Sequence, residues 1–173
     1  MNSRYHHPNT GRRLRIGVVA LALTVPVGAM TLPGVADARA LVRGDFTIAV
    51  ELQTASLEDV GASACKLTVD ATVTFTGDVA GAADGTTVAL IGAACSEVAT
   101  TPPGTFVDAF GFVGEFSGTV DGHAVDATLG YAGVTRAGGA IKAVMTLSNG
   151  IRGLLKVDAV AGQGGIYTGF ASA

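Results

Sequence analysis

The segment CKLTVDATVTFTGD, residues 65–78, alternates apolar and polar side chains without a break. Cys65, Leu67, Val69, Ala71, Val73 and Phe75 fall on one side, and Lys66, Thr68, Asp70, Thr72, Thr74 and Thr76 on the other. A side-chain period of two is that of a β-strand with one face withdrawn from water. That face can look at a packed core, at lipid or at a cavity, and the choice among the three decides what the protein can do. Similar segments recur at about 46–53, 86–95, 105–120, 123–132, 140–148, 154–160 and 166–170, with Gly-rich turns between them. No window carries a convincing 3.6-residue period, and Thr54 to Ser63 reads as loop with at most one helical turn. The expected fold class is all-β, an eight-stranded antiparallel closed barrel; long alternating rows and repeated glycine bends favour it over a two-sheet sandwich.

Register can be tested on the sequence, because a slip of one residue turns an entire apolar row outward. Asp121-Gly122 is a preferred two-residue hairpin turn, and closing it pairs Phe116 with Ala127, Gly114 with Leu129, Phe112 with Tyr131 and Phe110 with Gly133. Apolar then meets apolar. A two-residue turn at Asn149-Gly150 would mix the rows, so a longer loop across Asn149 to Gly153 is expected, with Leu147 facing Leu155 and Met145 facing Val157. A hairpin centred near Ala80, within GDVAGAADG, would set Cys65 opposite Cys95 and Val69 opposite Ile91. These are the only two cysteines, and a disulfide between them is the expectation for an exported chain. Aromatic-x-Gly recurs at Phe75-Thr76-Gly77, Phe116-Ser117-Gly118, Tyr131-Ala132-Gly133 and Tyr167-Thr168-Gly169, where an aromatic ring can cover bare backbone at a bend.

Residues 1–40 read as a cleaved secretory signal peptide. Arg12, Arg13 and Arg15 form the basic region, IGVVALALTVPVGAM the apolar region, and Ala38-Arg39-Ala40 a small-x-small cleavage site, with Ala36-Asp37-Ala38 a second. Pro26 interrupts the apolar run, which is shorter than the ~20 residues that span a bilayer, so no transmembrane anchor is expected after processing. Arg12-Arg13 invites a twin-arginine reading, but Arg15 stands where that signal wants an aromatic or apolar residue, so general secretion is expected, to the extracellular space or cell envelope. Residues 41–173 then form a single barrel domain. The whole chain has net charge −3, and the leader takes Arg4, Arg12, Arg13, Arg15 and Arg39 with it against Asp37, so the remainder is more acidic still. Such a surface has no electrostatic reason to hold phosphate, and nucleic acid is not an expected partner.

A lipid-facing exterior would require aromatic girdles, and the chain has no Trp while Phe110, Phe112 and Phe116 crowd one strand. The apolar rows are therefore expected inside. Leu67, Val69, Ala71, Phe112, Phe116, Ala127, Leu129, Tyr131, Ala143 and Met145 are the expected lumen, and its alanines leave room either for a small hydrophobic ligand or for large neighbours that fill the gap.

The stretches KLTVDATVTFTGDVAG, FVDAFGFVGEFSGTVDGHAVDATLGYAG and MTLSNGIRGLLKVDAVAGQGGIYTGF resemble a family of small bacterial proteins of unknown function with an allene-oxide-cyclase-like barrel. The TFTGD turn, the F-x-G-T-V-D-G hairpin, the S-x-G-x-x-G-L loop and the closing G-x-Y-x-G strand carry the likeness, over about residues 66–170. Related barrels, dirigent proteins among them, guide small hydrophobic intermediates, and the resemblance implies a similar use of the lumen. No polar lumen residue of the cyclase has a matching motif, and no catalytic residue is carried over.

The sequence displays no reaction. It has no G-x-S-x-G, no Cys-His pair, no phosphate loop before a helix and no zinc spacing, and neither a metal nor a cofactor is expected. The polar candidates for proton chemistry are Asp108, in the row of Phe110 and Phe112 yet near a strand start opposite Thr135, and Tyr131, whose hydroxyl needs a partner if buried. Asp108 reads more readily as a solvated rim carboxylate. His123, Glu51 and Glu115 read as solvated. Three functions remain open: a secreted barrel binding a small hydrophobic ligand, an isomerase or cyclase steering an unstable apolar substrate, and a ligand-free structural domain of the envelope. Oligomeric state is not legible.

Overall fold

Each alternating segment becomes a strand, and the strands form an antiparallel meander that closes on itself. The computed structural model describes residues 40–172, so the expected leader, apart from Ala40, lies outside the described residues. The strands are β1 (Ala40–Val50), β2 (Ser56–Asp59), β3 (Cys65–Gly77), β4 (Val79–Ile91), β5 (Asp108–Val120), β6 (His123–Thr135), β7 (Ala140–Ser148), β8 (Arg152–Val160) and β9 (Gly164–Ser172), with one short helix, α1 (Cys95–Val98). Neighbours run β1-β9-β8-β7-β6-β5-β4-β3-β2, and β1 also pairs with β3, which closes an eight-stranded barrel with one extra strand.

The extra strand corrects the loop expected at 54–63. β1 pairs with β3 from Gly44↔Gly77 to Val50↔Ala71, and β2 takes over the same edge from Ser56↔Thr68 to Asp59↔Cys65. Between them a 3-10 turn, Leu52–Thr54, bulges out of line. The Asp70 backbone loses nothing by it: its N–H donates to Thr54 Oγ1 and its carbonyl accepts from Glu51 N–H, both at 2.9 Å. β1 and β2 are thus one strand interrupted by a bulge, a device that ends or re-aims pairing at barrel rims.

The β5–β6 hairpin closes as expected, with Phe116↔Ala127, Gly114↔Leu129, Phe112↔Tyr131 and Phe110↔Gly133. Asp121 and Gly122 both take positive φ, 49° and 78°, the backbone a two-residue turn of this hand demands. At β7–β8 the rejection of a two-residue turn holds, but the loop is shorter than expected: Asn149, Gly150 and Ile151 connect the strands, and Met145 faces Leu155 and Ala143 faces Val157. The shift is an even number of residues, so the inward rows survive it. Buried Ile151 accounts for the difference, because the loop turns early to tuck this side chain under the barrel.

The β3–β4 register is also corrected. Cys65 faces Ile91 and Val69 faces Thr87, not Cys95 and Ile91. The chain reverses at Gly77-Asp78, and VAGAADG, expected as turn, continues as strand with Val79 and Ala83 buried. Its glycines serve close approach of β5: a Cβ at Gly85 would sit 2.1 Å from the Val113 carbonyl oxygen. Asp78 locks the reversal, donating its N–H to the Arg43 carbonyl at 3.1 Å, accepting the Arg43 N–H on its carboxylate at 2.9 Å, and accepting the Asp121 N–H on its carbonyl at 2.8 Å. The disulfide forms nonetheless, between Cys65 at the head of β3 and Cys95 at the first residue of α1, with Cα atoms 4.9 Å apart.

The exterior is less polar than the β3 row suggests. Val113, Leu154, Phe170 and Leu41 are each more than half exposed, and register places them in one outer row running from β5 through β6 to β9 and β1.

Candidate functional site

The interior divides into a filled end and a hollow one. At the end holding the Gly77-Asp78 and Asp121-Gly122 turns, Phe75, Phe116 and Tyr167 pack with Val79, Val120 and Ile151, all buried. From there a series of rings climbs the barrel, edge-on except for the tilted Phe75–Phe46 pair. Tyr167 meets Phe75 at 5.7 Å, Phe75 meets Phe46 at 6.1 Å, Phe46 meets Tyr131 at 5.8 Å, and Tyr131 meets Phe110 at 5.0 Å between centroids. Such spacings are favourable for aromatic pairs, and they hold the Tyr131 ring from two sides.

Above Tyr131 the packing opens into a cavity of about 220 Å³. Its wall is mostly apolar, built from Ile48 and Val50 of β1, Leu67, Val69 and Val73 of β3, Ala89 of β4, Phe110 and Phe112 of β5 and Ile141 of β7. The mouth is framed by Leu52, Ala55, Pro103, Ala161 and Gly162, contributed by three separate connections. Leu52 is 77% exposed, an apolar side chain standing over an apolar opening. Wider depressions, such as one of about 430 Å³ beside Leu90, Val107 and Val134, are shallow and lie on the outer wall.

The expected lumen residues are accordingly separated. Leu67, Val69, Phe112 and Tyr131 line the cavity, whereas Ala71, Phe116, Ala127, Leu129, Ala143 and Met145 are buried in the packed interior. Beside the alanines there stand Leu129, Met145, Leu155 and the aromatic rings of the same buried cluster.

Two polar side chains reach the cavity wall with buried atoms that no described protein group satisfies, Asp108 Oδ1 and Tyr131 Oη. Asp108 pairs with Thr135 across the β5–β6 ladder, as expected, and is partly exposed at the first residue of β5. Burial raises its pKa above the ordinary carboxylate value, with hydrogen bonding to Thr135 pulling the other way. Burial, and after it the Asp108 charge, pushes the Tyr131 phenol far above its usual pKa, so it stays a protonated donor through the neutral range. Thr87 and Thr135 complete the polar part of the wall. Neither was singled out beforehand, although Thr87 interrupts the small and apolar inward row of Gly85, Ala89 and Ile91, a signal that was there to be read.

His123, Glu51 and Glu115 are exposed and take no part. Among the described residues no group of three or more His, Cys, Asp or Glu side chains converges on a metal position. None of the described helices is long and apolar enough to cross a membrane.

Comparison with known proteins bears on this barrel. No family model and no curated protein matches the chain. A solved structure does. It is a protein of unknown function from the DUF3224 family of Shewanella oneidensis MR-1, at 13% sequence identity and a TM-score of 0.54, covering 77% of this chain and 96% of that one. At that identity the likeness speaks for the fold alone. This is a β-barrel similar to one whose own role is unknown.

The buried carboxylate makes stability depend on pH in a definite direction. A carboxyl whose folded pKa is raised contributes its full stability below its unfolded value near 4, and loses it as pH rises through the folded value. Urea denaturation of wild type and Asp108→Asn at steps from pH 3.5 to 7 is expected to show wild type losing stability relative to the variant across that interval. A constant difference between the two would show that Asp108 ionises as freely in the barrel as in the unfolded chain.

Proposed function

We propose that the protein is exported, loses residues 1–40, and binds a small apolar molecule in the cavity at the mouth of its barrel. The observation that carries this reading is the division of the interior: one end is packed solid while the other holds about 220 Å³ of mostly apolar space beneath an exposed Leu52. A pre-formed apolar hollow with a few polar groups is the usual form of a small-molecule site. The disulfide supports an oxidising compartment. The allene-oxide-cyclase-like and dirigent-like relationship suggested by the turn motifs belongs to the same reading, since those barrels house apolar molecules.

Asp108 and Tyr131 on the cavity wall favour a second reading, an isomerase or cyclase in which a shielded carboxylate accepts a proton and a phenol donates a hydrogen bond to an unstable apolar substrate. Native mass spectrometry of protein collected from the culture medium tests the first reading. The expected result is a chain beginning at Leu41 with an apolar adduct that organic extraction removes. A chain retaining residues 1–40 overturns the export reading. An adduct-free protein that also fails to take up small apolar probes overturns the binding reading, and chemical conversion of the adduct on incubation favours the enzyme.

A further inference from the structure

The barrel contains two buried tyrosines that are treated differently. Tyr167, 1% exposed, has its hydroxyl fully engaged, accepting the Val79 N–H at 2.9 Å and facing the carbonyls of Val79 at 3.0 Å and Thr76 at 3.1 Å. Tyr131, 2% exposed, has no such partner for its hydroxyl among the described residues, and Phe46 and Phe110 hold its ring so that it remains at the cavity wall. The Asp108 Oδ1 atom is buried on the same wall and also lacks a partner, although the carboxylate is hydrogen-bonded by Thr135. A buried polar atom without a partner costs stability, so two on one wall of an otherwise apolar hollow mark a place built for a polar group from outside the chain.

We infer that the mouth cavity selects apolar molecules carrying a single hydroxyl group, lodged between Tyr131 Oη and Asp108 Oδ1. This rests on the cavity being the ligand site and adds the chemistry of the head group. Tyr131 is a donor, and ionised Asp108 is an acceptor only. One hydroxyl answers both, accepting from the phenol and donating to the carboxylate. An ether or ketone oxygen answers the phenol and leaves Asp108 Oδ1 unpaired; a hydrocarbon answers neither. An apolar cavity of about 150 Å³ is enough to take up benzene, so the 220 Å³ cavity suits a small apolar body, of the order of one ring.

Phenol, anisole and toluene share one ring and differ at the head group, and their binding to the disulfide-bonded barrel can be measured by calorimetry or by ligand-observed NMR. Phenol is expected to bind about tenfold or more tightly than either analogue, the penalty for leaving a buried partner unpaired. Tyr131→Phe is expected to reduce that margin to less than about threefold while toluene affinity is retained, which also reports that the variant is folded. Asp108→Leu offers the same readout should Tyr131→Phe fail to fold. Equal affinity of the three in wild type would overturn the hydroxyl inference and leave the cavity reading standing. Binding of none would overturn both.

Discussion

Replacing Cys65 and Cys95 together by serine is expected to lower the unfolding free energy by about 3–4 kcal/mol, the loop-closure entropy that a bridge across this separation removes from the unfolded chain. The separation is 30 residues. The bridge does not staple a ladder pair, since Cys65 already faces Ile91; it ties α1 and the long connection to β5 back onto the barrel mouth. That connection is otherwise held by modest means. Ala89, Ile91 and Ala93 form a small cluster with Val98 and Phe106, and Gly92 N–H donates to the Val107 carbonyl at 3.0 Å. The loss should therefore have a spatial signature. Amide exchange in residues 92–107 is expected to accelerate before that of the strands, because a segment with few buried contacts opens locally at lower free energy than the core. A double-serine variant within about 1 kcal/mol of wild type in urea denaturation would show that the unfolded chain already keeps these ends together.

The second large effect is expected at Tyr167, where removal of one oxygen atom by Tyr167→Phe should cost about 2–4 kcal/mol. Its hydroxyl accepts the Val79 N–H, and Val79 is fully buried. The variant leaves that donor orphaned and takes the phenolic proton from the Val79 and Thr76 carbonyls, and each unsatisfied buried group costs about 1–3 kcal/mol. The site is built around this oxygen. A Cβ at Gly44 would fall 2.4 Å from Tyr167 Oη and 2.0 Å from the Thr76 carbonyl oxygen, so β1 passes beneath the ring only as bare backbone. Denaturation midpoints test the magnitude, and the exchange rate of the Val79 amide tests the cause. A Tyr167→Phe protein within about 0.5 kcal/mol of wild type would mean that water enters and replaces the phenol.

What was legible beforehand is what period and turn chemistry control. Alternation in 65–75 placed Val69, Ala71, Val73 and Phe75 inside, where they are. Asp121-Gly122 set a complete hairpin register because positive φ at both positions leaves the chain one way to turn. The disulfide partners followed from there being only two cysteines. The register of β3 on β4 was not legible, because Val79-Ala-Gly-Ala-Ala-Asp-Gly has the composition of a turn while its small residues serve close approach to β5, a strand more than twenty residues away in sequence.

The functional question divides along the same line. Local pattern established that an oily interior exists and which side chains face it, since the pleat allows each residue only two directions. Only closure of the barrel decided how that interior is filled, because space beside a given alanine depends on side chains arriving from across the axis. Phe75, Phe116, Leu129 and Met145 converge at one end and none of them reaches the other. The same three-dimensional accident of distance leaves Tyr131 without a backbone partner and gives Tyr167 its full set, although both stand in aromatic-x-Gly segments that read alike.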